Sequence, residues 1–375
     1  MPEDLYAGRE QSRAKHALLE LYLEGLAYKI LMAQRPLVYI DGFAGPWQAE
    51  GPNFEDTSFA IALDKLAQAR VTAARNGRAA RIRCIFNERS NGSFRRLSEY
   101  AERARHLHRQ IQIDVCHGKF ADNAEQIDRL AGDGFRFVFI DPTGWTGFPL
   151  DAVRTALGDK GELLLNFMSS HAQRWLPGTA MPQRDGWLAD LIGREAAAAL
   201  KGRETSIDEL REALLNALRT ELGFEYACAT PITAPTESRV QFWLLYGTRS
   251  AAGVEVFRDA EAKAIAEHEI GRATDFGKQS QLFEPEARGM YSNLHEHSLD
   301  HLEDRCRAKL PSAGPGIEFS RFAASVMERE HVRLIEVKDA CIRLAEQGAI
   351  ERTWKQRNSR ARKPSKGDFI RRTEP

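Results

Sequence analysis

Apolar residues follow two alternating patterns along the first 170 residues of the chain. Apolar positions three and four apart predict helices, the first over about residues 12–34 and ended by Pro36. Short runs rich in apolar residues predict five strands, at residues 37–41, 82–88, 111–117, 135–141 and 162–167, and the first of them is predicted to be buried. Strands that alternate with helices predict a parallel sheet wound by helices, and therefore an α/β fold of the Rossmann-like kind.

The alternation of strands and helices ends after the fifth predicted strand. Residues 174–222 predict a mainly helical insertion or cap. Two strand-like runs, residues 226–233 and 239–247, then follow with only a loop between them, which favours an antiparallel pair. We assign residues 1–270 to one domain that includes this pair and the insertion.

The C-terminal part of the chain has a different order of elements. Residues 271–316 predict a helical connector, and residues 317–375 predict two helices followed by two short strands around a basic turn. The second of these helices, residues 334–347, is amphipathic and is followed by Gly348, a natural helix-ending residue. This order resembles a winged-helix module, an α+β fold.

Composition narrows the class of protein. With 375 residues, 43% of them hydrophobic, the chain can bury a sizeable core, which argues against disorder of the whole chain. No stretch reaches the roughly 18 uncharged apolar residues of a membrane helix, and the N-terminus has no signal-peptide core. Five scattered cysteines without a CxxC pair argue against a disulfide framework and a zinc site. We expect a cytoplasmic protein without membrane association.

Charge is concentrated at the C-terminal end. The formal net charge is zero, yet residues 351–375 hold nine basic and three acidic residues, a balance of about +6. Such a segment predicts a local anionic partner, and phosphates of a nucleic acid are the reading that we favour over a solvated loop. The candidate contacts are Arg352, Lys355, Arg357, Arg360, Arg362, Lys363 and Lys366.

The strongest local motif is YIDGFAGPW, where the first predicted strand ends. Small residues allow the backbone to approach a ligand closely before the next helix begins. The alternative is a tight strand–helix turn of another α/β fold. The candidate cofactor-binding residues here are Asp41, Gly42, Phe43, Ala44 and Gly45.

The second and third strands also end in candidate residues. Glu88 stands where an acid accepts hydrogen bonds from ribose hydroxyls in dinucleotide-type folds, although a surface glutamate is the alternative. CHGKFAD follows the third strand and supplies Gly118 and Phe120 as further candidate cofactor-binding residues.

FIDPTGW follows the fourth strand and supplies the candidate catalytic residues Asp141, Pro142 and Trp145. An acid there can orient an acceptor group, but a helix-capping Asp-Pro turn is the alternative. Asn166, at the end of the fifth strand, lines the same cleft or caps a turn. The segment HEHSLDH, residues 295–301, contains three histidines, and we interpret it as a solvated polar helix rather than a metal site. We therefore predict no bound metal.

These motifs together resemble two related groups of proteins. DGFAGP resembles motif I of class I S-adenosylmethionine-dependent methyltransferases, with Trp47 in place of a third glycine, and DPTGW resembles their DPPY motif, with Thr143 and Gly144 replacing a proline and an aromatic. A parallel sheet that ends in an antiparallel pair is typical of the same enzymes. In this resemblance Lys119 takes the place of an acid that binds the adenine amine. The resemblance leaves Asp122 or the backbone near Phe120 to replace this acid, and the ring of Phe120 to stack on the adenine.

The combination of YIDGFAGP, FIDPTG, FWLLYGTRS and LAEQGAIER resembles the three-Cys-motif partner proteins over nearly the whole chain. The resemblance implies a class I methyltransferase fold, S-adenosylmethionine as cofactor, and a partner protein that carries a three-cysteine cluster. We expect a methyltransferase that acts on a base amino group of a nucleic acid. The alternative is a non-catalytic adaptor that uses a degenerate methyltransferase fold to bind a partner protein, nucleotide or nucleic acid.

Overall fold

The computed structural model describes residues 10–45, 54, 56–78, 80–142, 147–168, 182–201, 204–233, 240–279, 290–311 and 314–373. The chain forms two compact units, Met1–Arg249 and Ser250–Pro375. None of the described helices combines the length and the hydropathy that a membrane span requires.

The first unit is built on a seven-stranded sheet. The strands lie in the order β3-β2-β1-β4-β5-β7-β6, in which β1 to β5 are parallel and β7 is antiparallel to both of its neighbours. This order is the Rossmann-like methyltransferase fold that the sequence predicts. The strands are β1 Leu37–Asp41, β2 Ile82–Glu88, β3 Ile111–His117, β4 Phe135–Ile140, β5 Glu162–Phe167, β6 Tyr226–Thr233 and β7 Val240–Thr248.

Helices connect the strands of this sheet. Among the described residues, five helices precede or link the parallel strands, and three form the helical insertion that was expected between β5 and β6. They are α1 Glu10–Met32, α2 Ser58–Arg75, α3 Asn91–Leu107, α4 Phe120–Ala131, α5 Leu150–Leu157, α6 Pro182–Ile192, α7 Arg194–Leu200 and α8 Ile207–Thr220. The first residues of the predicted insertion, 174–181, lie outside the described part of the chain.

The strand order reverses between β1 and β4. From β1 the chain continues to β2 and β3 on one side of the sheet, whereas β4 and β5 lie on the other side. Asp41, the last residue of β1, is in register with Phe86 of β2 and Phe139 of β4. In open α/β sheets a ligand binds at the carboxyl edge where the order reverses, so the fold itself marks the place to look for a site.

The second unit is mainly helical and contains a small sheet. Its elements are α9 Ala251–Gln279, α10 Met290–Asp300, α11 Leu302–Lys309, β8 Ile317–Glu318, α12 Phe319–Met327, α13 Leu334–Glu346, α14 Thr353–Arg357 and β9 Phe369–Ile370. α9 continues through residue 270, where the sequence analysis places a domain boundary. Strand β8 pairs antiparallel with β9, and Ile350 and Arg372 form an isolated antiparallel bridge.

The first of the two short strands that the sequence predicts around the basic turn, at residues 349–354, is only partly formed. Its first residues give the bridge at Ile350, but the chain then turns into α14 at Thr353. The turn places Trp354 in the apolar core of the unit, where 1% of its surface is exposed. Burial of this large side chain outweighs continued strand pairing.

Candidate functional site

Asp41 organises the turn that follows β1. Its carboxylate accepts hydrogen bonds from the Phe43 backbone N–H, at 3.1 Å, and from the Ser58 hydroxyl, at 2.5 Å. Ser58 is the first residue of α2, so this carboxylate joins the turn to the start of the next helix. Burial raises the pKa of Asp41 to about 7, although the hydrogen bonds from Ser58 and Phe43 lower it. The group therefore changes charge near neutral pH.

Gly42 allows the turn to pack closely on its neighbours. A Cβ atom at this position would lie 2.8 Å from Cδ1 of Ile140 and 3.0 Å from the ring of Phe120, which is too close for an ordinary contact. Phe120 is buried, and its ring lies against the turn. The glycine is thus required by packing, and the stacking of Phe120 on an adenine stays a prediction.

Asn87, the residue before Glu88, joins three of the segments at this edge. Its side-chain amide donates to the carbonyl oxygens of Gly42 and Gly118, at 3.1 and 3.2 Å, and its Oδ1 accepts from Asn123. Its backbone oxygen accepts the N–H of Ala44. The loops after β1 and β3 are therefore held at a fixed separation by one buried side chain that the sequence analysis missed.

Glu88 ends β2 beside these loops. It is buried, and its Oε1 accepts the backbone N–H of Ser90 at 2.5 Å. Burial raises the pKa of Glu88 above its ordinary value, against the effect of this hydrogen bond. Gly118, in a backbone conformation with φ of +136°, donates its N–H to the Glu88 carbonyl. The strand end thus brings together two of the predicted cofactor residues.

Asp141 follows β4 and is held by two side chains from other elements. The Lys15 ammonium of α1 lies 2.5 Å from Oδ2, and the Asn166 amide of β5 donates to Oδ1 at 2.6 Å. Burial favours the neutral acid, but the charge and hydrogen bond of Lys15 and the hydrogen bond of Asn166 lower the pKa of Asp141 below its ordinary value. The carboxylate is therefore ionised at neutral pH and paired with a cation.

Asn166 has one polar atom that remains unsatisfied. It is buried, and its Oδ1 has no hydrogen-bond partner among the described residues. The bond from its amide nitrogen to Asp141 fixes which side-chain atom is the free acceptor. An unsatisfied buried acceptor costs about 1–3 kcal/mol, so a ligand or water that donates a hydrogen bond here is favoured. The sequence analysis named Asn166 but left open whether it lines the cleft.

Aromatic contacts join loops from both sides of the point where the strand order reverses. The ring of Phe43 lies 6.1 Å from that of Phe120, at the start of α4, and 6.5 Å from that of Phe148, before α5. The loops after β1, β3 and β4 therefore meet around Phe43.

The predicted site residues fall into two groups along the carboxyl edge. The first group, expected to bind a cofactor, lies at or just after the ends of β1, β2 and β3. Its members are Asp41 to Gly45, Glu88, Gly118 and Phe120. Asp141 and the buried Pro142 follow β4, next to Asn166 of β5. Trp47 and Trp145 lie outside the described residues. Lys119 is the residue that precedes α4, at its N-cap.

The histidines of the second unit take part in ordinary contacts. Nδ1 of His295 lies 2.6 Å from the carbonyl oxygen of His331, and the rings of His297 and His301 lie edge to face at 4.5 Å. Within the described part of the chain, no three His, Cys, Asp or Glu side chains are grouped as a metal site requires.

No family model and no curated protein matches this chain, so the resemblance to three-Cys-motif partner proteins stays a prediction. Among solved structures, the chain is similar to a loganic acid methyltransferase with SAH. The sequence identity is 11% and the TM-score 0.33, over 71% of this chain and 84% of that one. The assignment of the fold rests on the strand order of this chain itself.

Proposed function

We propose that the protein is an S-adenosylmethionine-dependent methyltransferase. The observation that carries the proposal is the reversal of strand order between β1 and β4, which places Asp41, Glu88 and Asp141 at one edge of the sheet. Ligands of such sheets bind at this point. The two groups of residues along the edge suit a cofactor and a methyl acceptor side by side.

The residues on the β1–β3 side fit the proposed cofactor. The turn after β1 would lie against the methionine part, and Glu88 would accept hydrogen bonds from the ribose hydroxyls. When bound, S-adenosylmethionine supplies an electrophilic methyl group on a sulfonium. Asp41 is buried and its pKa is raised to about 7. A cation bound nearby would stabilise its ionised form and so lower this pKa.

The residues on the β4–β5 side fit a neutral acceptor that carries a hydrogen. The free Oδ1 of Asn166 accepts an N–H or O–H, and the adjacent Asp141 is already neutralised by Lys15. This pairing favours an uncharged amine over a cationic one. Asn166 and Asp141 would orient the amine in line with the methyl group, and the ionised Asp141 would receive the proton that the product loses.

We further propose a base amino group of a nucleic acid as the acceptor, and a three-cysteine protein as a partner. The nucleic-acid acceptor is supported by two observations: the residues near β4 and β5 suit an uncharged group that donates a hydrogen bond, and the C-terminal segment is basic. The three-cysteine partner rests on the sequence resemblance alone. All five cysteines of this chain are buried, and none forms a disulfide bond.

A second candidate function is that of a non-catalytic adaptor. It is favoured by the burial of Phe120 under the turn and by Lys119 at the place where related enzymes carry an acid. An adaptor with a degenerate site would not bind S-adenosylmethionine, so cofactor binding separates the two functions.

We expect the affinity for S-adenosylmethionine to rise with pH up to about 7 and then to level off. Asp41 is protonated below its raised pKa, and a bound cation favours its ionised form, so binding releases a proton below that pH. The loss is at most about tenfold in affinity per pH unit below 7. Calorimetry at several pH values, in buffers of different ionisation enthalpy, measures both the affinity and the proton.

The matched variant for this test is Asp41→Asn, which keeps the shape of the side chain but does not ionise. Its affinity should not change with pH over this range. Absence of binding of either S-adenosylmethionine or its demethylated product to the unaltered protein, at every pH, would rule out the methyltransferase and leave the adaptor.

A further inference from the structure

The cations of α13 are engaged within the second unit. The Arg333 guanidinium lies 2.8 Å from Glu336, and that of Arg343 lies 2.5 Å from Glu303. The Lys338 ammonium lies 5.9 Å from the ring centroid of Phe319. In a winged-helix module α13 would be the recognition helix, with these three cations on its outer face, but two of them are neutralised by nearby carboxylates. The helix therefore offers little free positive charge.

The segment of residues 351–368, which contains the short helix α14 and is here called the basic loop, is different. The side chains of Arg360, Arg362 and Lys366 are exposed and have no hydrogen bond or ion pair among the described residues. Lys355 is exposed and donates to the Ser359 carbonyl at 3.1 Å. Lys363, by contrast, pairs with Asp339 of α13 at 2.5 Å. The side chain of Arg357 lies outside the described part of the chain.

Several contacts fix the basic loop on the unit. Trp354 is buried near its start, and the buried carboxylate of Asp368 accepts the backbone N–H of Ser365 at 2.8 Å near its end. Gly367 donates its N–H to Glu318 at 2.8 Å, and Lys363 joins the middle of the loop to α13. The loop is thus held in place before any partner binds, which lowers the entropy lost on binding.

The order of elements around the loop is that of a winged helix. β8 is followed by α12 and α13, then by the bridge at Ile350, the basic loop and β9. Strand β9 pairs with β8, and Arg372, just after it, pairs with Ile350. The basic loop therefore occupies the position of the wing between two paired segments.

We propose that this unit binds the phosphate backbone of duplex nucleic acid through the basic loop, and that α13 does not read the bases. The exposed cations Arg360, Arg362 and Lys366 complement a row of phosphates. Phosphate contacts carry no sequence information, so binding is non-specific. The inference deepens the proposed function by giving its nucleic-acid substrate a binding surface, but it does not require methyl transfer.

The test uses the full chain and a short fluorescein-labelled DNA duplex, with binding followed by anisotropy at salt concentrations from about 50 to 200 mM. The variant replaces Arg360, Arg362 and Lys366 together by Ala. Each lost phosphate contact removes about 0.9 from the slope of log affinity against log salt, so the slope should fall by about two to three. Affinity at the lowest salt should fall roughly tenfold or more.

The matched control is Arg75→Ala, Arg78→Ala and Arg81→Ala, which removes three exposed cations from the first unit. It has the same net charge as the test variant and should bind within about twofold of the parent. A duplex of unrelated sequence should bind the parent equally well. The same measurement with an RNA duplex of the same sequence shows whether the protein binds DNA or RNA more tightly.

Three results would overturn the proposal: no duplex binding by the parent, equal binding by the parent and the test variant at every salt, or an equal loss in the control. Calorimetry with S-adenosylmethionine on the same proteins keeps the two proposals apart. Absence of duplex binding by the parent refutes the basic loop as a phosphate contact, whereas absence of cofactor binding refutes only the methyltransferase.

Discussion

Replacement of Arg258 by Met is expected to lower the stability of the second unit by about 3–5 kcal/mol, the usual cost of removing one partner from a buried ion pair. The guanidinium is buried and donates to both carboxylate oxygens of Glu261, each at 2.7 Å. It also donates to the backbone oxygens of Met327, at 2.7 Å, and Glu328, at 3.1 Å. The variant would remove this cation from the buried Glu261, whose carboxylate would keep His331 as a partner at 3.1 Å.

Hydrogen exchange measured by mass spectrometry can follow this loss, because peptides from the two units are read separately. Protection should fall in the second unit and remain unchanged in the first. Arg307→Met, which removes an exposed pair with Asp304, is the control and should cost at most about 1 kcal/mol. The double variant Arg258→Met, Glu261→Leu should recover much of the stability. A cost below that of the control would show that the pair contributes little.

Replacement of Asp141 by Asn is expected to reduce methyl transfer by about 10² or more, while the affinity for S-adenosylmethionine stays within a few-fold. The change removes both the charge that pairs with Lys15 and the proposed proton acceptor. Transfer of tritiated methyl groups to unmodified DNA and RNA, prepared by enzymatic synthesis, measures the effect.

Asn166→Ala should also slow transfer, because it removes the free amide oxygen proposed to hold the acceptor. Asp151→Asn, at an exposed acid of α5, is the control and should transfer at the parental rate. If Asp141→Asn turned over as fast as the parent, this carboxylate would have no part in the reaction.

The sheet was predictable because its central strands, β1, β2, β4 and β5, are buried on both faces, whereas the edge strand β3 contains both buried and exposed residues. Buried strands appear in the sequence as continuous apolar runs, and the predicted bounds of β1, β2, β3 and β5 match the structure. The grouping of the acids at the strand ends was also predictable, because the carboxyl ends of parallel strands share one edge of the sheet. Asp41, Glu88 and Asp141 all lie there.

The partners of these acids were much harder to predict. Lys15 precedes Leu18 and Leu19 by three and four positions, so it lies on the apolar stripe of α1. A lysine on such a stripe is a usable signal, but its partner Asp141 lies 126 residues away. Asn87 has no local signal, because its role depends on loops that meet only in the folded chain.

The charge of the C-terminal segment was visible in the sequence, but the pairing of its cations was not. Glu303 lies forty residues from Arg343, and Asp339 lies twenty-four residues from Lys363. Only the folded unit shows which cations are neutralised and which stay exposed.

The position of β7 between β5 and β6 also affects how the protein is made. β5 has β4 on one side, but its other neighbour, β7, begins at Val240, about 70 residues after Phe167. At roughly 5–20 residues per second, a ribosome needs about 4–15 s to synthesise that stretch. During this time the nascent chain carries an unpaired apolar strand edge, a template for pairing with neighbouring chains. We therefore expect truncation before residue 240, or slow translation of the helical insertion, to reduce the yield of soluble protein.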